Sequence, residues 1–363
     1  MEKNDWVIPT YHIYIEPSKY MEMKRDVWSE EPTHANFIYE KLKYSIGIVY
    51  RGYHIRKARK KSYNIQFVQP RSWQGAREIH LNAEYNDPSL MRSKLSFEFF
   101  DAIGVLSPQA SYVQLILNGK FEGVYLQLES VDENYLKRRN LPLGAIFYAT
   151  NDDANFSLIT PEETYKKKLD AGYKQKTGTK SDHEFLCELI YKINTVPKAE
   201  FSNSIIHYMD INKYLLWLAG VMCTQNYDGF NQNYALYRNG ETGLFEMIPW
   251  DYDATWGRDI HGEEMEHDYV PIKGYNTLTA RILDVPYFRH IYKQILEEVI
   301  DTRFNVDFLE PRIVNLNRSI RPYVENDPYI KKKLRIYDRE IDYILDYVMK
   351  RNQYLKEHLM DLK

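Results

Sequence analysis

Hydrophobic and polar positions alternate through most of the first third of the chain, and that alternation predicts strands. Residues 11–15, 35–39, 44–50 and 79–83 each place apolar side chains at every second position, the period of a strand with one buried face. Another strand runs from Lys60 to Phe67, separated from its predecessor by Arg51-Gly52. Residues 112–117 and 124–128 flank Asn118-Gly119, a dipeptide that favours a tight hairpin turn. After the turn Asn86-Asp87-Pro88, Ser89 caps a helix over residues 90–103 whose apolar face is Leu95, Phe99 and Phe100. A small twisted sheet with one helix laid on it is expected here.

Beyond residue 129 the period lengthens and helices are predicted over residues 132–139, 181–193, 210–224, 287–302, 305–317 and 327–359. Ser181 caps the second, and Phe185, Leu186, Leu189 and Ile190 share one of its faces. The third is apolar nearly all round from Tyr214 onward, so it should be buried. Residues 140–180 are polar and Lys-rich and read as a long surface excursion. Within the helical part, residues 226–256 stand apart as loop, strand, turn, strand, loop. Tyr234–Tyr237 forms the first strand, Asn239-Gly240 a tight turn, residues 243–248 the return, and Pro249 its end. The expected fold class is α+β, with a sheet-rich N-terminal lobe over residues 1–130 and a mainly helical C-terminal lobe over residues 131–363.

A hairpin brings its two ends together, so Asp228, Asn233 and Asp251 should lie at one mouth. Two carboxylates and an amide oxygen suit Mg²⁺, a hard ion with oxygen ligands. The spacing is that of protein kinases, in which an Asp accepts the substrate hydroxyl proton, an Asn five residues on holds metal, and an Asp beyond a hairpin holds Mg²⁺. Two departures stand: no His-Arg precedes Asp228, and position 253 is Asp253 where that pattern has Gly. The competing reading makes Asp228 and Asn233 turn residues and Asp251 a helix cap.

Composition sets outer bounds. At 363 residues, 44% hydrophobic and 27% charged, the chain reads as a soluble globular protein of one large domain or two lobes. A net charge of −3 gives no reason to expect nucleic acid as a partner. No apolar run reaches the ~18 residues that span a bilayer, so no membrane is expected. Residues 1–11 lack the apolar core of a signal peptide, which points to the cytosolic side of a membrane. Cys187 and Cys223 sit in apolar helical contexts and read as buried thiols.

Phosphate partners are expected in the first lobe. Gly52 at a strand end allows close backbone approach to a phosphate, with Arg51 beside it. A lysine on the next strand can then enter the cleft. Ile65 and Phe67 share the parity of Lys61, so Lys61 is preferred over Lys60. The run from Arg56 to Lys60 reads as a solvated basic loop.

Several motifs resemble the CotH-type spore coat protein kinases, atypical relatives of the protein-kinase fold. They are Arg51-Gly52, Lys60-Lys61-Ser62-Tyr63, the stretch from Leu81 through Asn86-Asp87-Pro88 to Arg92, and Gly123-Val124-Tyr125-Leu126-Gln127-Leu128-Glu129. Asp228-Gly229-Phe230, Asn233-Tyr234 and Pro249-Trp250-Asp251-Tyr252-Asp253 complete the set, in order, from about residue 45 to 257. The resemblance implies a two-lobe kinase-like fold, use of ATP with Mg²⁺ (Mn²⁺ as an alternative), and phosphorylation of serines in spore coat proteins for outer coat assembly. It implies residence in the mother-cell cytoplasm and then the spore coat, and assigns Asp228 as catalytic and Asp251 as metal-binding. Asp87 and Arg92 either orient Lys61 or serve as a turn cap and an ion pair. Glu129, past the last sheet strand, is a candidate adenine contact.

His261, Glu263, Glu264, Glu266, His267 and Asp268 are too crowded for a zinc site and read as an acidic solvated loop. Lying soon after Asp251, that loop should favour serines flanked by Lys or Arg, hence basic substrates. No G-x-S-x-G elbow supports a serine hydrolase. Three readings follow: a protein kinase, a non-catalytic coat scaffold that keeps the fold for binding, and a small-molecule phosphotransferase.

Overall fold

The structure, a computed structural model, describes residues 7–363, the side chain of His54 excepted. The reading of residues 1–11 as lacking an apolar leader thus falls, over residues 1–6, outside the described residues. The chain divides into two compact units whose segments interleave: one holds the chain up to Leu95, Gln109–Ser130 and Pro311–Tyr343, the other Ser96–Pro108, Val131–Glu310 and Ile344–Lys363. The described residues contain no helix long and apolar enough to cross a membrane.

In the first unit the alternating segments form seven strands: β1 (Thr10–Ile15), β2 (Thr33–Tyr39), β3 (Leu42–Arg51), β4 (Ser62–Phe67), β5 (Glu78–Asn82), β6 (Ala110–Leu117) and β7 (Lys120–Glu129). The expected small twisted sheet closes into a barrel, in the order β1-β2-β3-β4-β5-β7-β6. Parallel pairing of β1 with β6, Thr10 opposite Gln114, closes it. The Asn118 side chain helps at that seam, accepting from Ile15 N–H at 2.7 Å and donating to Ile15 C=O at 2.9 Å. Inward residues such as Ile13, Phe37, Ile48, Ile65, Leu81 and Leu115 fill the core. A period of two predicts which residues face in, but it carries no signal for which edges meet.

Asn118 and Gly119 both have positive φ, 49° and 77°, and join Leu117 directly to Lys120, as a two-residue primed turn requires. The helix Pro17–Arg25 was not legible in the pattern, because Met23 is its one buried residue. Residues 311–343 also belong to this unit. Asp327 is their anchor: its Oδ2 accepts Val124 N–H at 2.8 Å and ion-pairs with the Lys60 ammonium at 3.4 Å. Gly123 (φ +94°) makes room for it, since a Cβ there would lie 2.0 Å from that oxygen.

The second unit contains a four-stranded sheet, β8 (Ala145–Ala149), β9 (Tyr173–Thr177), β10 (Tyr234–Arg238) and β11 (Phe245–Pro249), in the order β11-β10-β8-β9. β8 and β9 come from the stretch expected to be a surface excursion. Ala145-Ile-Phe-Tyr-Ala149 is a continuous apolar run of strand length, and Tyr173-Lys-Gln-Lys-Thr177 is a polar edge strand, which the Lys content disguised. Ile211–Thr224 is buried along nearly its whole length, as its composition predicts. The helix Arg92–Ala102 contributes residues to both units. Its Phe99 and Phe100 pack in the second unit, edge-on to Trp256 and Tyr252, so it is not simply a helix laid on the first sheet. Cys187 and Cys223 are both free thiols, the second fully buried and the first half-buried.

Candidate active site

The hairpin at the centre of the second unit has the expected strands and a wider turn. Tyr234 faces Pro249 and Arg238 faces Phe245. Asn239 N–H then donates to Leu244 C=O at 2.9 Å, so Asn239-Gly240 is not a two-residue turn. The Asn239 side-chain oxygen is engaged by Glu241 and Thr242 N–H groups at 3.0 and 3.2 Å, and the positive φ falls at Gly243. Gly240 serves close approach instead: a Cβ there would lie 1.9 Å from Leu143 C=O.

At the open end the register does what the sequence requires. Trp250 N–H donates to Asn233 C=O at 3.0 Å, placing Asn233 and Asp251 at neighbouring strand ends. Both have left-handed backbones, as do Gln225 and Trp256 (φ 60°, 58°, 57° and 52°). Such conformations cost roughly 1–2 kcal/mol for most residues and less for Asn and Asp, and they concentrate at functional sites. Asp228 opens a short 3-10 turn, Asp228–Phe230, and its C=O accepts from Asn231 and Gln232 N–H at 3.1 and 2.9 Å.

Asn226, which the sequence reading passed over, links the pieces. It is buried, its Oδ1 accepts Gly229 N–H at 3.1 Å, and its Nδ2 makes a long contact, 3.5 Å, with Asp251 C=O. An Asn two residues before Asp228, at the mouth of a turn, was the available signal. Behind Asp251, Trp250 packs edge-on to Tyr148 at 4.8 Å, and Thr255 Oγ1 donates to Tyr252 C=O at 2.7 Å. Carboxylates and amide oxygens, without Cys or His, form a donor set that fits a hard divalent cation. Among the described residues no cluster of three or more His, Cys, Asp and Glu is placed to hold a metal. In the acidic loop the Asp259 carboxylate instead accepts His261 and Glu263 N–H groups at 2.8 and 2.9 Å.

The first-unit candidates form their own group at the end of β3 and the start of β4. The Arg51 guanidinium donates to Asn82 Oδ1. Gly52 (φ +79°) has Ile55 where a Cβ would project, and its C=O accepts Arg56 Nε at 2.8 Å. Lys61, half-buried, donates from Nζ to Arg56 C=O. Ile65 and Phe67, whose parity it shares, point into the barrel core. Glu129 lies apart on β7, opposite Ile79, and its Oε2 accepts Gln109 N–H at 2.9 Å.

The basic run is not the solvated loop expected. Arg56 is buried and bonded to Gly52, Val27 and Glu30. Lys60 is buried with its ammonium on Val124 C=O and Asp327, 4.6 Å above the Tyr125 ring. Burial lowers the Lys60 pKa, and Asp327 opposes that shift. Lys57 and Arg59 alone are exposed. Of the alternatives for Asp87 and Arg92, cap and ion pair are the ones built. Asp87 accepts from Ser89 and Arg92 N–H groups, both at 2.8 Å, and Arg92 bridges it to Glu340 at 2.5 and 2.7 Å, all three buried. Burying such a triad costs desolvation, which its mutual attraction and hydrogen bonds oppose.

The family model described as CotH kinase protein matches residues 48–355, and the chain belongs to that family. It is 54% identical over 358 residues to the inner spore coat protein H of Bacillus subtilis (strain 168), covering 98% of this chain and 99% of that one. A second relative in that organism, an inner spore coat protein H-like protein, is 31% identical over 306 residues, 84% of this chain and 88% of its own. Among solved structures, the Shewanella oneidensis MR-1 HipA–HipB–operator DNA complex superposes with a TM-score of 0.40 at 11% identity, covering all of this chain and 77% of that one. The Helicobacter pylori proinflammatory kinase CtkA gives 0.32 at 8% identity, over 82% of this chain and 94% of its own.

Proposed function

We propose that this protein is an ATP- and Mg²⁺-dependent protein kinase that phosphorylates serines of spore coat proteins, and that it works in outer coat assembly. Membership of the CotH kinase family gives the class of reaction. The observation that carries the site assignment is the Trp250–Asn233 pairing, which puts Asp251 and Asn233 at neighbouring strand ends.

Asp228 is the residue that orients the serine hydroxyl and accepts its proton; Asn233 and Asp251 are the metal ligands. The cation, when bound, neutralises charge on the phosphates. Lys61, Arg51 and the backbone at Gly52 are the phosphate partners, and Glu129 the adenine contact. Lys61 rather than Lys60 takes this role, because the Lys60 ammonium is already buried against Asp327. The protein's place in this reading is the mother-cell cytoplasm and then the coat; the relative named as a spore coat protein supports the association with the coat. A scaffold reading has less support, since binding alone needs neither Asp228 nor the strained Asp251.

The test is transfer of radiolabelled phosphate from ATP to purified coat proteins with Mg²⁺, with Mn²⁺ as the comparison, followed by phosphoamino-acid analysis. Label on serine supports the proposal. Label on small molecules only would favour a phosphotransferase, and no transfer with tight coat-protein binding would favour the scaffold.

A further inference from the structure

Beside Asp228 the second unit exposes an aromatic cluster that neither the metal assignment nor the fold uses. Tyr227, Tyr269 and Tyr275 are 45%, 53% and 39% exposed. The Tyr227 ring packs edge-on to both others, with centroids 5.4 Å apart in each case, and Tyr275 packs on Phe230 at 5.5 Å. Single exposed tyrosines need no explanation, whereas three in mutual contact offer a continuous aromatic surface, and tyrosine is a favoured contact residue.

The patch is also fixed to the loop that carries Asp228. Asn276 Nδ2 donates to Phe230 C=O at 2.7 Å. Gly274, at φ +61°, lets the loop approach so closely that a Cβ would lie 2.5 Å from the Phe230 ring. Upstream, Gln225 Nε2 donates to Glu266 C=O at 2.7 Å, and the buried Arg351 holds His267 and Val270 C=O at 2.9 and 2.8 Å. Both ends of residues 263–276 are therefore anchored, and a surface ordered in advance loses little entropy on binding.

Charge selects the occupant. Glu263, Glu264, Glu266 and Asp268 are all exposed, against Lys273 as the one lysine or arginine between 263 and 276. Tyrosine faces attract cations, and the carboxylates disfavour a phosphate or an acidic segment. We propose that Tyr227, Tyr269 and Tyr275 form a preorganised platform that seats an arginine or lysine side chain flanking the serine to be phosphorylated. This deepens the kinase reading and rests on it for the role of Asp228. It also makes the tyrosine faces, beyond the acidic loop's charge alone, the determinant of substrate preference.

The test is direct binding of a fluorescein-labelled serine peptide with flanking arginines, and of the same peptide with glutamines in their place. Both are measured on the full chain by anisotropy and, in parallel, as substrates with Mg²⁺-ATP. The wild type should prefer the arginine peptide. Tyr269→Leu with Tyr275→Leu should weaken that peptide by about fivefold and leave the glutamine peptide nearly unchanged. Tyr269→Phe with Tyr275→Phe, which keeps the rings, should restore the preference. In transfer assays KM for the arginine peptide should rise by the same factor with kcat held. Should the double leucine variant lose its melting transition, Tyr269→Leu alone, at the most exposed ring, gives the same comparison. An unchanged preference in a folded leucine variant, or equal wild-type affinity for the two peptides, overturns the platform. Tyrosine-dependent binding without any transfer would leave the platform standing and remove the kinase reading.

Discussion

Asn233 and Asp251 hold the same left-handed backbone conformation, φ 60° and 58°, at neighbouring ends of one hairpin. Asn and Asp adopt this region at less cost than other non-glycine residues, and an alanine in the same conformation would bear the full cost. Asp251→Gly should therefore be more stable than Asp251→Ala by about 1 kcal/mol, and neither should transfer phosphate. Urea midpoints for the two variants check the conformation, and the transfer assay checks the role. Equal stability would mean the backbone is not strained there.

The two aspartates should separate in their effect on nucleotide binding. A ligand that binds only the folded state raises its stability by RT ln(1 + [L]/Kd). With Asp251 on the metal and Asp228 on the hydroxyl, both Asp→Ala variants lose transfer. Mg²⁺-ATP should still raise the melting temperature of Asp228→Ala, and raise that of Asp251→Ala weakly or not at all. Full stabilisation of Asp251→Ala would take Asp251 off the metal.

Adjacent lysines should behave oppositely. Lys61→Ala should reduce transfer by an amount equivalent to about 1.5–3 kcal/mol, one charge-assisted phosphate contact, with little change in melting temperature. Lys60→Ala leaves the buried Asp327 carboxylate without its ion-pair partner and should cost about 3–5 kcal/mol of stability. Melting curves and initial rates on both variants decide the matter. A Lys61→Ala protein of undiminished rate would transfer the phosphate role elsewhere.

Stability at alkaline pH should report the Lys60–Asp327 pair. Burial lowers the Lys60 pKa in the folded state, while the unfolded chain keeps the ordinary value of 10.5. Between those two values the unfolded chain binds the extra proton, so stability rises with pH across the window. Asp327→Asn removes the charge that opposes the shift and extends the window to lower pH. With rising pH below 10.5 the variant should therefore gain more stability than wild type, read from denaturation midpoints. Parallel pH profiles would show that the lysine is not desolvated.

The Asn226 side chain accepts Gly229 N–H and makes a long contact with Asp251 C=O, and substitution can separate the two. Asn226→Ala strands the Gly229 N–H and should cost about 1–3 kcal/mol along with most of the transfer rate. Asn226→Asp keeps an acceptor for Gly229 N–H and loses the donor toward Asp251 C=O. It should recover most of the stability and part of kcat, with KM for ATP above wild type. Identical kinetics for the two variants would confine Asn226 to a structural role.

Local pattern determined much of this protein. The period of two fixed the barrel strands and their inward faces, because in a strand burial is decided residue by residue. The apolar composition of residues 214–224 fixed a buried helix, and the Asp228, Asn233 and Asp251 spacing around a hairpin placed Asn233 and Asp251 together, since antiparallel pairing leaves no other arrangement of the ends. Asn118-Gly119 closed a two-residue turn on its own propensities. Asn239-Gly240, the same dipeptide, did not, because the Leu143 carbonyl occupies the space beside Gly240 and neighbouring N–H groups take the Asn239 side chain. Tertiary structure alone decided the rest. Closure of the barrel depends on β1 finding β6, some hundred residues away. Lys60 is buried rather than solvated because Asp327, 267 positions later, supplies the counter-charge, and Gly123 the room. The tyrosine platform draws on residues 227, 269 and 275, which only packing makes neighbours. Each of these depends on contacts between distant segments, and a window of local periodicity contains no term for them.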